Sequence, residues 1–229
     1  MKKDGELTIS DKINDFFVRN RKILLIILAL VLLVVLIVIG VVVFFDTQRT
    51  TAINEIEAAI ADFQKFKTEK IKNADNSLSD EEKKLLTDKE TKLIETLSKY
   101  SEQKNYAGFM AIQQIGDIYF KNGDFERALH FYEKMPLSAN RYPSGILLFN
   151  AAMCADELGQ NEKAMRLFTE ASGCTEFPFK ARALFNAARI QESLDGVKAI
   201  ETYKQLIASY PDTQWANLAK TRVIEFELK

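Results

Sequence analysis

The chain has 229 residues, a net charge of −1 at neutral pH, 47% hydrophobic residues, one His and two Cys. This charge balance excludes an overall basic protein, which is the usual composition of nucleic-acid-binding domains. A His-rich metal site and a scaffold held by several disulfides are also excluded, and any catalytic triad built on His would have to use His130.

A long apolar segment lies near the N-terminus. Ile23–Phe45 contains no charged residue, and Gly40 is its single non-apolar residue. As a helix this segment extends about 35 Å, enough to cross the roughly 30 Å hydrocarbon core of a bilayer. It is too long for a signal peptide and no A-x-A-like cleavage site follows it. We therefore expect an uncleaved transmembrane helix over residues 23–45.

Basic residues are concentrated on one side of this segment. Arg19, Arg21 and Lys22 directly precede it, whereas Asp46 directly follows it. The positive-inside rule therefore predicts a cytoplasmic tail over residues 1–22. The rest of the chain, after the membrane helix, is expected outside the cytoplasm.

Two amphipathic helices are predicted after the apolar segment. Apolar residues from Ile53 to Phe63 recur at spacings of three and four, which is the period of one helix face. A polar break then precedes Ser79, which together with Glu82 forms a capping box that starts a second helix. We expect a membrane-proximal helical hairpin over residues 46–104.

The remaining part of the chain repeats internally. The pentapeptide Leu-Phe-Asn-Ala-Ala occurs at residues 148–152 and again 36 residues later, at residues 184–188. In each repeat a later helix has an Ala followed four positions on by an aromatic residue. Hairpins of this kind cannot bury their apolar faces alone, so they stack on one another. The pairs are Ala128 and Tyr132, Ala164 and Phe168, and Ala199 and Tyr203.

The first repeat carries a motif of small and aromatic residues. Its members are Ile115, Gly116, Tyr119, Gly123, Asp124, Phe125, Ala128 and Tyr132. This motif resembles a tetratricopeptide repeat, although the period here is 35 to 36 residues instead of about 34. The resemblance implies an all-α fold with about three repeats over residues 105–229. In that α-solenoid a C-terminal capping helix containing Trp215 covers the last repeat.

The order of segments carries a second resemblance. The tail contains Phe16-Phe17-x-x-Asn20-x-Lys22, a membrane helix follows, and an exterior repeat domain includes Tyr106–Met135. This arrangement is similar to that of YfgM-type ancillary subunits of the bacterial Sec translocon. The similarity implies a single-pass protein of the inner membrane with its repeats in the periplasm. It also implies association with the SecYEG channel, a membrane-anchored periplasmic chaperone of the PpiD type and exported polypeptides.

Another resemblance leads to a different function. The run from Tyr210 to Thr213 before the last helix is similar to periplasmic repeat proteins of cell-envelope assembly (BamD type) and Tol-Pal coordination. Such proteins normally lack an uncleaved anchor. The alternative function is therefore a scaffold or adaptor of envelope assembly or division.

The sequence contains no pattern that points to catalysis or to a cofactor. His130 lies between Leu129 and Phe131 without the local partner and nucleophile that a general base requires. Cys154 is expected to be a small buried hydrophobe, and Cys174 lies in a loop, so a disulfide within the chain is not expected. We predict a non-enzymatic protein with no cofactor, no metal, no small-molecule substrate and no nucleic-acid partner.

The candidate site is therefore a surface that binds other proteins. In stacked hairpins the first helix of each pair lines the concave side. Counting from the repeat Gly or Ala predicts a partner-binding groove formed by Gln113, Asp117, Phe149, Met153, Asp156, Phe185, Arg189 and Glu192.

Aromatic and Met side chains in such a groove would serve as anchors for varied partners. The alternative is that Phe149 and Phe185 are core residues between neighbouring repeats. Some repeat proteins bind C-terminal carboxylates through a basic pair of residues at set positions. Here Gln113 and Asp117 occupy the positions at which that pair would begin, so a receptor of that type is not expected.

Overall fold

A computed structural model describes residues 9–73, 79–134 and 142–228. The regular structure within these ranges is entirely helical, so the predicted all-α fold class is confirmed. The helices are α1 (Ile9–Asn73), α2 (Asp80–Ser98), α3 (Tyr106–Lys121), α4 (Phe125–Tyr132), α5 (Tyr142–Glu157), α6 (Asn161–Gly173), α7 (Lys180–Leu194), α8 (Gly196–Ser209) and α9 (Gln214–Glu227).

The chain divides into two compact units, residues 1–51 and residues 52–229. In the first unit the described part of α1 exposes the large apolar side chains of Ile23–Phe45, and none of them is buried. In the described part of the chain, one helical stretch, Phe16–Lys70, is long and apolar enough to cross a membrane. This assignment depends on length and composition. The first eight residues of the predicted cytoplasmic tail lie outside the described ranges.

In the second unit, the C-terminal part of α1 packs with α2 and α3. Ile56, Leu97 and Ile115 are fully buried in their shared core. Helix α2 starts with the predicted capping box, because the Glu82 amide donates to Ser79 Oγ (3.2 Å) and the Ser79 amide donates to Glu82 Oε2 (3.1 Å). The capping box is therefore confirmed. Most of the polar break predicted before it lies outside the described residues.

The repeats form three helical hairpins, α3–α4, α5–α6 and α7–α8. Gly123 and Gly159 have φ angles of +74° and +68° in the turns of the first two hairpins, a conformation that favours glycine. Asp195 alone separates the helices of the third hairpin, where it accepts from the Lys198 amide as N-cap. Gly116 allows α4 to approach α3, because a Cβ there would clash with the Tyr132 ring.

Two further cores hold the hairpins together. The larger extends from α3 to α7, and the smaller joins α7, α8 and α9. Each of the three predicted Ala–aromatic pairs is buried, since Tyr132, Phe168 and Tyr203 expose 1% or less of their surface. Helix α9 buries Ala219 and Val223 against this last core. The spacing of the pairs therefore identified the residues at the centre of each hairpin.

Candidate functional site

The first helices of the hairpins, α3, α5 and α7, together line one cavity, and we call the surface around this cavity the groove face. A cavity of about 210 Å³ opens on it. Its lining residues are Asp117, Phe120, Tyr132, Phe149, Asn150, Met153 and Arg182. Asp117, Phe149 and Met153 belong to the groove predicted from the sequence, so the structure brings these three together.

Asp117 is held by a partner within the protein. The Tyr132 hydroxyl donates a hydrogen bond of 2.6 Å to Asp117 Oδ1. Burial raises the pKa of Asp117, although the hydrogen bond from Tyr132 acts in the opposite direction. Burial and the neighbouring Asp117 carboxylate raise the pKa of the Tyr132 hydroxyl. The Asp117 carboxylate is therefore a weak candidate for pairing with an external cation.

Two arginines of α7 meet residues of α5 in the same register. Arg189 forms an ion pair with Asp156. Seven residues earlier on both helices, Arg182 faces Phe149, and its guanidinium carbon lies 5.1 Å from the centroid of that ring.

The Trp215 ring of α9 lies near the same guanidinium group, with its centroid 5.7 Å from the Arg182 guanidinium carbon. Arg182 forms no ion pair with a carboxylate of the described residues. Two aromatic rings therefore position this cation on the groove face.

The two predicted groove aromatics are core residues. Phe149 exposes 7% of its surface and Phe185 exposes 9%. Phe149 packs edge-to-face on Phe168 at a centroid distance of 5.3 Å, and Phe185 packs on Trp215 at 5.5 Å. They are not exposed anchors, because Phe168, Phe177 and Phe179 surround Phe149, and Tyr203 and Trp215 pack against Phe185. This corresponds to the alternative that the sequence left open.

Four of the predicted groove residues, Gln113, Asp156, Arg189 and Glu192, do not line this cavity. Tyr203 donates to Glu192 Oε1 at 2.6 Å, and Arg222 of α9 lies 3.7 Å from the same oxygen. Gln113 is half-buried on α3. The charged members Asp156, Arg189 and Glu192 are therefore partnered within the protein.

A second cavity, of about 740 Å³, lies among α6, α7 and α8. Its cations have carboxylate partners: Arg166 pairs with Glu170 at 3.0 Å, and Lys198 pairs with Asp195 at 3.1 Å. The cation of the groove-face cavity differs from these because it is held by aromatic rings.

Asn150, Arg182 and Trp215 were missed as candidate residues. Asn150 belongs to the repeated pentapeptide, and Arg182 precedes Arg189 by two helical turns. Both signals were present in the sequence. The position of Trp215 beside Arg182 depends on how α9 packs on α7, which no local spacing reveals.

Three residues of the described part of the chain, His130, Cys154 and Cys174, are the His and Cys side chains whose reactivity could matter. Among the described residues, no cluster of three or more His, Cys, Asp or Glu side chains could hold a metal ion. Cys154 and Cys174 are buried free thiols, and burial raises the pKa of Cys154 to about 12. His130 is exposed on α4.

Two segments of the chain match models of the tetratricopeptide repeat, residues 111–134 and residues 182–213. These comparisons support the tetratricopeptide repeat family. The repeats indicate a protein–protein interaction module, and the fold is generally a non-catalytic scaffold. The matched segments cover the first hairpin and the third.

A curated relative is similar over part of the chain. It is a TPR repeat-containing protein of Treponema pallidum (strain Nichols), 38% identical over 112 residues. The match covers 48% of this chain, and the chain spans about half the length of that relative (47%).

Solved structures share the fold. The crystal structure of nearly identical TPR-like repeats from Podosopora anserina, described as a kinesin light chain, matches with a TM-score of 0.51 at 13% identity. It covers 74% of this chain and 82% of that chain. A single-substitution variant of the same repeats matches with a TM-score of 0.52. At this identity the likeness shows the fold alone.

Proposed function

We propose that this protein is a membrane-anchored, non-enzymatic module that binds other proteins along the groove face. In this proposal it is an ancillary subunit of the Sec translocon that links the channel to periplasmic chaperones or to exported polypeptides. The observation that carries the proposal is the presence of an exposed apolar helical segment, Ile23–Phe45, in a chain whose other unit contains tetratricopeptide repeats.

The anchor gives the proposed orientation. Its exposed apolar side chains suit a lipid environment, where a helix satisfies its own backbone hydrogen bonds. Arg19, Arg21 and Lys22 precede the span and favour a cytoplasmic N-terminus. The repeats then lie in the periplasm, where exported chains emerge.

Anchoring supports binding by mass action. A repeat surface confined to the membrane meets a channel in the same membrane at a higher effective concentration than a free protein would. Binding of modest affinity is then sufficient for a transient contact with an emerging chain.

A scaffold of envelope assembly or division is the second candidate. Helix α9 exposes Leu218 and Ile224, and Leu228 follows it with 82% of its surface exposed. Thr213, at the end of the Tyr210–Thr213 run, accepts from the Ala216 amide and caps this helix. Exposed apolar side chains at the end of a repeat array would be covered in a stable assembly with another envelope protein.

Site-specific photocrosslinking in native membranes tests the proposal. A photoreactive residue at Gln113, on α3, should recover the Sec channel or a membrane-anchored periplasmic chaperone. The matched control is the same residue at Arg166, an exposed position of α6, which should recover much less. Recovery of envelope-assembly proteins would favour the scaffold, and recovery of neither group would contradict both candidates.

Protease accessibility tests the orientation separately. A protease added outside intact inner-membrane spheroplasts should digest the repeat domain and leave the N-terminal tail protected. Protection of the repeats in spheroplasts would contradict a periplasmic location.

A further inference from the structure

Three basic side chains lie at one end of the apolar segment of α1. Arg19, Arg21 and Lys22 directly precede Ile23, and all three are exposed. At about 1.5 Å per residue, they lie within about 6 Å of Ile23 along the helix axis. The headgroup layer on each side of a bilayer is about 5–7 Å thick. In a membrane spanned by Ile23–Phe45, these cations therefore lie at the depth of the lipid headgroups.

Two of these cations have no counterion on their own helix. A helix places residues three and four positions apart side by side, and no Asp or Glu lies at those distances from Arg21 or Lys22. In the described part of the chain, neither side chain forms an ion pair. Arg19 differs, because Asp15 precedes it by four residues. The counterions of Arg21 and Lys22 must therefore come from outside the described residues.

Cations of the repeat unit are neutralised differently. Lys163 pairs with Glu133 at 2.9 Å, and Lys134 pairs with Glu102 at 2.7 Å. Such pairs satisfy a cation within the protein, so it has little charge left for another molecule. Arg21, by contrast, keeps its full positive charge beside an apolar helical segment.

The other end of the apolar segment lacks this concentration of charge. Asp46 directly follows Phe45, and Arg49 comes three residues later. The two ends therefore differ in sign close to the apolar segment, and only the end that carries Arg21 and Lys22 attracts anions.

We propose that Arg21 and Lys22, together with Arg19, bind the headgroups of anionic phospholipids in the leaflet that they adjoin. The inference rests on the membrane anchor of the proposed function. A lipid phosphate accepts hydrogen bonds from the guanidinium fork of Arg21 and from the ammonium group of Lys22. Lipids with a net negative charge are preferred, because a zwitterionic headgroup carries a cation of its own.

The directions of the three side chains favour several lipids over one small anion. Successive residues of a helix are about 100° apart. Arg21 and Lys22 therefore differ by about 100°, and Arg19 and Arg21 by about 200°. Cations that leave the helix in different directions suit the headgroups of several lipids around it better than a pocket for a single ligand.

Native mass spectrometry of the full chain tests the proposal. The chain is kept in detergent micelles that contain equal amounts of phosphatidylglycerol and phosphatidylcholine with the same acyl chains. The wild type is compared with Arg21→Gln/Lys22→Gln and with Arg21→Lys. The matched control is Arg49→Gln/Lys65→Gln, which removes the same charge from exposed positions of the same helix.

The wild type should prefer phosphatidylglycerol at least about fivefold, which is the effect expected of one basic residue near an anionic surface. Arg21→Gln/Lys22→Gln should lower this preference at least about fivefold. Arg21→Lys and the matched control should keep most of it, because charge at this depth is retained. Glycerol 3-phosphate at the same concentration should not displace the lipid, since it has no acyl chains.

Three outcomes would overturn the inference. One is equal binding of the two lipids by the wild type, and another is a preference that survives Arg21→Gln/Lys22→Gln. Displacement by glycerol 3-phosphate is the third, because it would assign the cations to a soluble phosphate.

Photocrosslinking in native membranes distinguishes lipid from protein as the source of the anion. A photoreactive residue at Val18, an exposed position one turn before Lys22, should form lipid adducts. A discrete protein adduct that disappears in Arg21→Gln/Lys22→Gln would assign the cations to carboxylates of a partner protein and overturn the inference.

Alkaline carbonate extraction separates this inference from the proposed function. The wild type, Arg21→Gln/Lys22→Gln and the matched control should all stay in the membrane fraction, because Ile23–Phe45 is unchanged. Release of the wild type would contradict the anchor and with it the proposed function. Retention of all three without a preference for the anionic lipid would overturn the inference alone.

Discussion

Two side-chain contacts join α5 to α7 at positions seven residues apart on both helices, and the two contacts differ in chemistry. At one position Asp156 and Arg189 neutralise each other in an ion pair. At the other position Phe149 belongs to the core and Arg182 lies over its ring. An ion pair between neighbouring hairpins joins the hairpins together. A cation near a core aromatic ring keeps hydrogen-bond donors that no carboxylate of the described residues occupies.

This difference indicates that stability and binding are divided between the two positions. Phe149 contributes to stability through its buried ring, whereas Arg182 contributes little to stability and keeps its charge on the groove face. The ion pair at the other position contributes moderately to stability. Three experiments test this division and a fourth concerns the adjacent Asp117 carboxylate, with the largest expected effect first.

Phe149→Ala should destabilise the repeat unit by about 3 kcal/mol, because truncation of a buried aromatic removes apolar contacts and leaves a cavity. Phe179→Ala is the matched control, since Phe179 contacts the same ring cluster but is 53% exposed. Phe179→Ala should lower the free energy of unfolding by about 1 kcal/mol or less. Denaturant unfolding followed by fluorescence of Trp215, the single Trp of the chain, measures both. Equal losses would contradict a core role for Phe149.

A double-mutant cycle of Asp156→Asn and Arg189→Gln should give a coupling energy of about 1 kcal/mol. The two side chains are 25% and 39% exposed, so water screens the ion pair and keeps its contribution modest. The same unfolding assay measures the cycle. A coupling energy indistinguishable from zero would show that this pair does not join α5 to α7.

Arg182→Gln should lower stability by about 0.5 kcal/mol, because it removes a partly exposed cation–π contact and leaves the Phe149 core intact. The fluorescence of Trp215 should change in the folded state, since the guanidinium lies near its ring. Arg189→Gln provides the comparison in the same assay. A larger loss of stability for Arg182→Gln than for Arg189→Gln would contradict the division, because Arg182 would then contribute more to stability than Arg189 does.

Asp117→Asn should have the smallest effect, seen as a change in how stability depends on pH. Burial raises the pKa of Asp117, so the folded state holds its proton to a higher pH than the unfolded state does. Its contribution to stability is therefore full below the ordinary carboxyl pKa and declines as pH rises through the raised pKa. The Asn variant should lack this decline.

Asp124→Asn is the control of opposite sign. Hydrogen bonds from Arg127 lower the pKa of Asp124, so its contribution is present above the ordinary carboxyl pKa and is lost as pH falls. Thermal unfolding over a series of pH values measures both variants. An unchanged pH profile for Asp117→Asn would mean that this carboxylate titrates normally.

Much of the fold was predictable because it depends on spacing along one helix. The Ala–aromatic pairs, the capping box at Ser79 and the apolar run of Ile23–Phe45 are all local patterns, and helical geometry places their members on one face. The helical period also identified Asp117, Phe149 and Met153 as residues of α3 and α5 that face the same side.

The sequence by itself determined the helical hairpins, their buried pairs and the apolar segment. The tertiary structure decided that other aromatic rings cover Phe149 and Phe185, that Asp156 is partnered by Arg189, and that Trp215 lies beside Arg182. The physical reason is that a repeating pattern specifies which face of a helix is apolar. The partner of each side chain depends on the register between helices that are far apart in the chain, and that register is set by packing.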